Sequence, residues 1–188
     1  MNLKGLLAFF IFFGLHEVHA ATDYGFEIGG RQQAGDVIGL NFSANSQWGF
    51  QGGFFANIAT EQGPAHFRTG IFYTQRPLQS HNDVTGNEID FDLDYLDIPI
   101  ALLIRPSEKF GVYMGFITSI NLSKSCSGDP ACQVLDVDTP NFPVLFGFLY
   151  KATPKWGLNF YIDGGNGYVA RGLADYKAVG LNLSFALE

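Results

Sequence analysis

The chain has 188 residues, enough for one domain of ordinary size and little more. It is 47% hydrophobic and 15% aromatic but only 15% charged, where soluble domains carry about a quarter charged residues. A formal net charge of −7 with few, scattered basic residues excludes nucleic acid as a partner.

The N-terminus reads as an address. Lys4 supplies a positive start, Leu6 to Leu15 an apolar core, and Val18-His19-Ala20 the small residues that a signal peptidase prefers, which predicts a cleaved signal peptide over residues 1–20. Ten apolar residues span about 15 Å as a helix, half a bilayer core, so a membrane anchor fits less well. With Ala21 rather than a cysteine directly after the predicted cleavage site, a lipoprotein anchor is disfavoured too. The remaining residues, 21–188, would form a single exported domain in an oxidising compartment outside the cytoplasm.

Beyond this leader no stretch is apolar over the roughly 20 residues that a membrane helix requires. Apolar content without an apolar run points to strands. From Tyr24 to Ala44 two alternating stretches occur, Tyr24 to Gln32 and then Ile38, Leu40 and Phe42. Bacterial single-chain barrels have even strand numbers, so this region is counted as one strand, Tyr24 to Gln32, with the second stretch extending it or lying in the first loop.

Seven further segments alternate with the strand period of two. In Gly49 to Ala59, Phe50, Phe54, Ala56 and Ile58 oppose Gln51, Gly53, Phe55 and Asn57. In His66 to Arg76, Phe67, Ile71 and Tyr73 oppose Arg68, Gly70 and Phe72. Leu96 to Arg105, Phe110 to Leu122, Val144 to Tyr150, Trp156 to Asp163 and Ala178 to Leu187 repeat the pattern. Each segment has one oily face.

The connections alternate in length: Thr60 to Ala65, the longer Pro77 to Asp92, then Pro106 to Glu108, the longer Lys124 to Asn141, then Thr153 to Lys155, with a short final loop at Arg171 to Asp175. Outer-membrane barrels have short periplasmic turns and longer external loops, so the sequence predicts an all-β, eight-stranded antiparallel up-and-down transmembrane β-barrel. In the long loop between the fifth and sixth strands, Cys126 and Cys132 flank a Gly-Asp-Pro turn. For an exported protein they predict one local disulfide, restraining the chain by roughly 2 kcal/mol. A two-cysteine metal site would lack partners, since His66 and His81 are the only histidines after the leader.

Alternation leaves open which face meets lipid, since a lipocalin-type barrel turns its oily face inward around a ligand. Here the opposite faces hold Gly, Ala, Ser and Asn more than Lys or Glu, and Arg68, Asp97 and Arg105 all fall on them. A single Arg turned toward lipid at mid-depth would cost about 2 to 4 kcal/mol, so the oily face is assigned to lipid. Tyr24, Trp48, Tyr73, Tyr95, Tyr150, Trp156 and Tyr176 sit near strand ends, where amphipathic rings are expected to form interfacial girdles.

Three short motifs, Gly39-Leu40-Asn41-Phe42-Ser43, Phe72-Tyr73-Thr74-Gln75-Arg76 and Tyr95-Leu96-Asp97-Ile98-Pro99-Ile100, resemble the porin-family outer-membrane β-barrel domain, the PorT-like group of small OmpA/OmpX-type barrels. The resemblance covers nearly all of the chain after the leader and implies a bacterial outer-membrane location. In that family the Gly-Leu-Asn segment usually lies in the first strand. The chain ends Phe185-Ala186-Leu187-Glu188, a departure from the terminal aromatic of barrel-assembly signals.

Eight strands enclose an interior just wide enough to be filled by side chains, so an open channel is not expected. Glu27, Arg31, Arg68, Arg76, Asp97, Arg105, Tyr113 and Asp163 are predicted to line the lumen as ion pairs and hydrogen-bond partners. Register is not readable from sequence, so no pairs are assigned. The expected function is structural or adhesive, through surface binding by the external loops, without cofactor and as a monomer. Expected partners are outer-membrane lipid and lipopolysaccharide, the barrel-assembly machinery during insertion, and a surface ligand. A narrow passive pore is the alternative.

A lipopolysaccharide-modifying enzyme is the third reading. Ser80-His81 with Asp83 supplies the residue types of a hydrolytic triad, but neighbours in an extended chain point apart, so no catalytic residue is assigned. Asp90, Asp92 and Asp94 share one strand face and are weak calcium candidates. Calcium asks for six or more oxygens from a shaped loop, and a solvated acidic loop is the preferred reading.

Overall fold

The computed structural model describes residues 22–38, 42–60, 63–84, 86–128, 132–165, 168–170 and 172–187, and among these there is no helix. The predicted leader and its cleavage site lie outside the described residues, as do Gly39, Leu40 and Asn41 of the first family motif.

Eleven strands form among the described residues: β1 (Asp23–Val37), β2 (Phe42–Asn45), β3 (Gln47–Ala59), β4 (Ala65–Gln75), β5 (Leu78–Asn82), β6 (Glu88–Ile104), β7 (Phe110–Ser127), β8 (Val144–Lys151), β9 (Trp156–Gly164), β10 (Tyr168–Ala170) and β11 (Leu173–Leu187). Eight of them close a barrel in the order β1, β3, β4, β6, β7, β8, β9, β11 and back to β1, every pairing antiparallel. The remaining three are additions at one end: β2 pairs with β5, β5 with β6, and β10 with β11.

The barrel's two ends differ. Both chain ends of the barrel domain and the connections 60–64, 105–109 and 152–155 share one end, here the turn end. The connections 38–46, 76–87, 128–143 and 165–172 share the other, the loop end.

Several boundaries move from their sequence-based positions, mostly at the loop end. β1 continues past Gln32 to Val37, while Phe42–Asn45 leaves the barrel as a separate short strand. The predicted loop from Pro77 to Asp92 is instead mostly strand: β5 and the start of β6 form a hairpin, with Leu78 opposite Phe91, around a turn where Gly86 takes a φ of 73°. β7 runs on to Ser127 opposite Asp90, so the predicted loop at Lys124 begins four residues late. The predicted final loop from Arg171 to Asp175 falls largely inside β11, which bends there with Asp175 at a φ of 48°.

These additions make the wall uneven. β8 and β9 have 8 and 9 residues, close to what a membrane strand needs, whereas β6 and β7 have 17 and 18. Together β2, β5, β6 and β7 therefore form a sheet that stands above the rim on one side, rising about 20 Å along the strands beyond the barrel proper.

Polarity is inverted relative to a soluble fold. Large apolar side chains point outward all round, including Phe26, Ile28, Phe54, Ile71, Leu102, Met114, Phe146, Phe160 and Leu181. The interior holds charge and aromatic rings. Two glycines show why the rings fit: a Cβ at Gly147 would fall within the Tyr113 ring, and one at Gly180 within the Tyr161 ring. Each tyrosine lies flat over the bare backbone of the neighbouring strand, directly across the register.

Candidate functional site: the lumen and the loop-end cap

Glu27, Arg31, Arg68, Arg76, Asp97, Arg105, Tyr113 and Asp163 all lie inside the barrel, each at most 6% exposed. They sort into tiers along the axis. At the turn end, Asp23 accepts from Arg105 and, at 2.9 Å, from Lys151 Nζ, joining β1 to strands on both far sides of the barrel.

In the next tier Arg68 donates to Glu27 Oε1 at 2.7 Å and to Asn57 Oδ1 at 3.0 Å. Asn159 Nδ2 reaches the other Glu27 oxygen at 2.8 Å, and Tyr113 donates its hydroxyl to Asn159 Oδ1 at 2.8 Å. The Arg68 guanidinium carbon stands 4.9 Å from the Tyr113 ring centre and 5.5 Å from that of Phe55. The carboxylate thus meets charge and amide donors, and the cation meets π faces, which is what a buried ion pair needs to offset its lost hydration. A parallel chain runs from Asn182 to Gln51 at 2.9 Å and from Gln51 to Thr74 at 3.1 Å.

Toward the loop end two further pairs form. Arg31 donates to Asp163 Oδ1 at 3.0 Å across β11. Arg76 donates to both Asp97 oxygens at 2.9 Å and to Ser119 Oγ at 2.8 Å. The Arg76 guanidinium is held between two rings, 4.3 Å from the centre of Tyr95 and 4.7 Å from that of Tyr176. This corrects the expectation that both tyrosines belong to an interfacial girdle, since Tyr95 and Tyr176 are 0% and 2% exposed. Their positions share parity with Asp97 and Ala178, which turns them inward. Tyr24, Trp48, Tyr73 and Trp156 do point outward.

Above Arg76 the mouth is closed by a second, apolar core: Leu78, Leu93, Val134, Val169 and Leu173 pack with the outer faces of Tyr95 and Tyr176. Val134 comes from the connection 128–143, which folds back over the opening. Its backbone is fixed by Asp138 N–H to Val169 O at 2.8 Å and by a reciprocal pair between Asn141 and Ser119. A disulfide between Cys126 and Cys132 ties the top of β7 to this segment, and Cys126 packs against the cap. Among the described residues, a cavity of about 20 Å³ lies at mid-height beside Glu27 and Tyr113, and another of about 20 Å³ opens at the turn end beside Arg105 and Lys151. Each holds about one water.

The other candidate residues do not converge. Ser80 is buried, His81 lies on the opposite face with Nδ1 4.0 Å from Glu88, and Asp83 takes the Ser43 hydroxyl at 3.0 Å. His66 is buried at the turn end with Nδ1 beside the Pro64 carbonyl. Asp90, Asp92 and Asp94 do share the outer face of β6, with Gln79 donating to Asp90 at 2.9 Å. Among the described residues no three His, Cys, Asp or Glu side chains cluster as a metal site.

Sequence reading put Tyr161 and Ser119 on the lumen-facing side but missed Asp23, Gln33, Tyr95 and Tyr176 as lumen residues. Parity alone could have found the tyrosines; Asp23 lies one residue before the predicted first strand.

No family model and no curated protein matches the chain, so the PorT-like resemblance finds no support beyond its short motifs. Solved structures do match in fold. Ail, the attachment invasion locus protein of Yersinia pestis, solved in complex with the heparin analogue sucrose octasulfate, aligns over 88% of this chain and 99% of its own at a TM-score of 0.51 and 12% identity. OprG, an outer membrane protein of Pseudomonas aeruginosa, aligns over 89% and 95% at 0.48 and 14% identity. The outer membrane protein AlkL, solved in lipid bilayers, aligns over 93% and 94% at 0.48 and 13% identity. The fold is that of the small, eight-stranded outer-membrane β-barrels.

Proposed function

We propose that this chain is a bacterial outer-membrane barrel whose lumen is a filled, non-conducting strut and whose raised sheet at the loop end binds a ligand at the cell surface. One observation carries the membrane placement: the apolar belt faces out while the buried charges pair inside. Trp48, Val144 and Ile71 are 72%, 67% and 56% exposed, and an uninterrupted girdle of such side chains far exceeds the few hundred Å² that soluble monomers leave bare. Lipid is the solvent that such a surface fits.

The side-chain packing favours a strut over a passive pore, because cavities of about 20 Å³ hold a water and pass no solute. Recognition is assigned to the sheet of β2, β5, β6 and β7, a rigid scaffold edge that stands clear of the membrane. Ail was solved with a polysulfated sugar. On this chain Glu88, Asp90 and Asp92 are exposed on the raised sheet, so a polyanion is disfavoured and a cationic or uncharged surface partner is preferred.

Fractionated cells test the placement. The folded protein is expected in the outer-membrane fraction, extractable only with detergent, and migrating differently on gels before and after boiling. A protein that stays in water without detergent overturns the reading.

A further inference from the structure

We infer that the outer wall carries a binding site for an acyl chain and phosphate of one membrane lipid, where β8, β9 and β11 meet at the loop-end rim. The inference rests on the reading that the apolar belt faces lipid. A groove of about 380 Å³ lies there, lined chiefly by Val144, Phe146, Ile162, Gly164, Val179 and Lys177. That is the volume of about a dozen waters, room for a length of hydrocarbon chain.

The groove exists because an outward position on β9 has no side chain. Trp156, Leu158, Phe160 and Ile162 fill the outward positions in turn, and the next is Gly164. Val144 and Lys177 are its direct cross-strand neighbours on either side. A Cβ at Gly164 would lie 3.3 Å from Lys177 Cγ, so the lysine stem forms one wall of the gap. Asp163 also borders the groove, but its carboxylate turns inward to Arg31 and offers the groove no charge.

Lys177 supplies the polar end. It is exposed and outward, set between Gly164 on one side and Ala34 on the other, and among the described residues it forms no ion pair. The nine residues of β9, from Trp156 to Gly164, span about 25 to 30 Å along the strand, about 20 Å across a bilayer at barrel tilt. Lys177 therefore stands at the headgroup level of the loop-end leaflet while Val144, Ile162 and Val179 lie at acyl depth. A lysine whose stem lies along apolar surface and whose ammonium reaches the interface suits a phosphate above a bound chain.

The test uses the full barrel purified in detergent and stripped of lipid, titrated with lipid A, with dephosphorylated lipid A and with inorganic phosphate, and read by native mass spectrometry. One saturable lipid A adduct is expected, with inorganic phosphate not competing. Lys177→Gln is expected to weaken it about tenfold, the scale of one charge-assisted hydrogen bond, and to abolish the preference for the phosphorylated form. Val144→Trp, which fills the groove from a fully outward position, is expected to weaken both lipids alike. Heat-shifted gel migration of each variant confirms folding. Unchanged lipid A binding in both folded variants overturns the site while leaving the membrane reading intact. Cross-linking through Val144→Cys that gives a dimer insensitive to lipid overturns it in favour of a second copy of the chain. Solubility without detergent removes the membrane reading itself.

Discussion

Arg76 and Asp97 meet through one guanidinium nitrogen, 2.9 Å from each carboxylate oxygen, with both side chains at most 1% exposed. The pair links the residue after β4 to the middle of β6, adjacent walls of the barrel, and the Tyr95 and Tyr176 rings both pack on the guanidinium. Breaking a buried pair strands the surviving charge, and that asymmetry gives the first prediction. Arg76→Met or Asp97→Leu alone is expected to destabilise the folded barrel by about 3 to 5 kcal/mol, while the double variant loses much less. Urea unfolding in lipid vesicles measures all three; equal losses in the single and double variants would contradict it.

The direction each face points sets a second outcome. Phe54 lies outward at mid-strand, 58% exposed, and Phe54→Arg is expected to cost about 2 to 4 kcal/mol in vesicles. Phe55→Arg, one residue along and facing Arg68, should fail differently, by crowding and like charge inside the barrel. If Phe54→Arg folds as well as the parent, the outward surface does not meet lipid.

Conductance follows from packing. Planar-bilayer recordings of the parent protein are expected to show no discrete steps. Replacing Arg68, Tyr113 and Tyr161 together by Ala removes the largest side chains of the middle tiers, and small steps are expected to appear if the loop-end cap is also opened by Val134→Gly. Steps from the parent protein would show that the tiers do not close the lumen.

The disulfide serves the cap more than the wall. Cys126→Ser with Cys132→Ser is expected to leave heat-shifted migration intact while speeding protease cleavage within 128–143. The stability loss expected for a ring this short is roughly 2 kcal/mol, confined to the cap. Loss of the folded band would assign the bridge a role in the whole barrel.

The barrel itself was legible because its alternation is strict wherever one face meets a uniform environment. Segments such as Trp156 to Asp163 and Gly49 to Ala59 have little choice of face, so strand and parity follow from the residue types. At the loop end that constraint weakens. Leu78–Asn82 sets Leu78, Ser80 and Asn82 against Gln79 and His81, two faces that differ little in polarity, and although Glu88–Asp92 alternates acids with Ile89 and Phe91, its partner strand β5 is fixed by pairing with β6 and β2, which no local signal announces. The lumen residues could be named from parity, but their partners could not. Arg31 and Asp163 are 132 positions apart, and only the closed register brings them together. The tyrosines were misread for a related reason: position near a strand end suggested an interface, while parity placed Tyr95 and Tyr176 inside.

The lumen is electrically balanced, with Arg31, Arg68, Arg76 and Arg105 set against Asp23, Glu27, Asp97 and Asp163. The chain's formal charge of −7 therefore belongs to everything else, and it is not shared evenly. At the turn end Lys109, Lys151 and Lys155 outnumber Glu108, while at the loop end Asp36, Asp83, Glu88, Asp90, Asp92, Asp94, Asp136, Asp138 and Asp175 outnumber Lys124 and Lys177. The molecule is an axial dipole with an insulating waist. Its acidic pole acts on approaching solutes only within a Debye length of about 8 Å in physiological salt, so capture of a cationic partner should quicken several-fold as the medium is diluted.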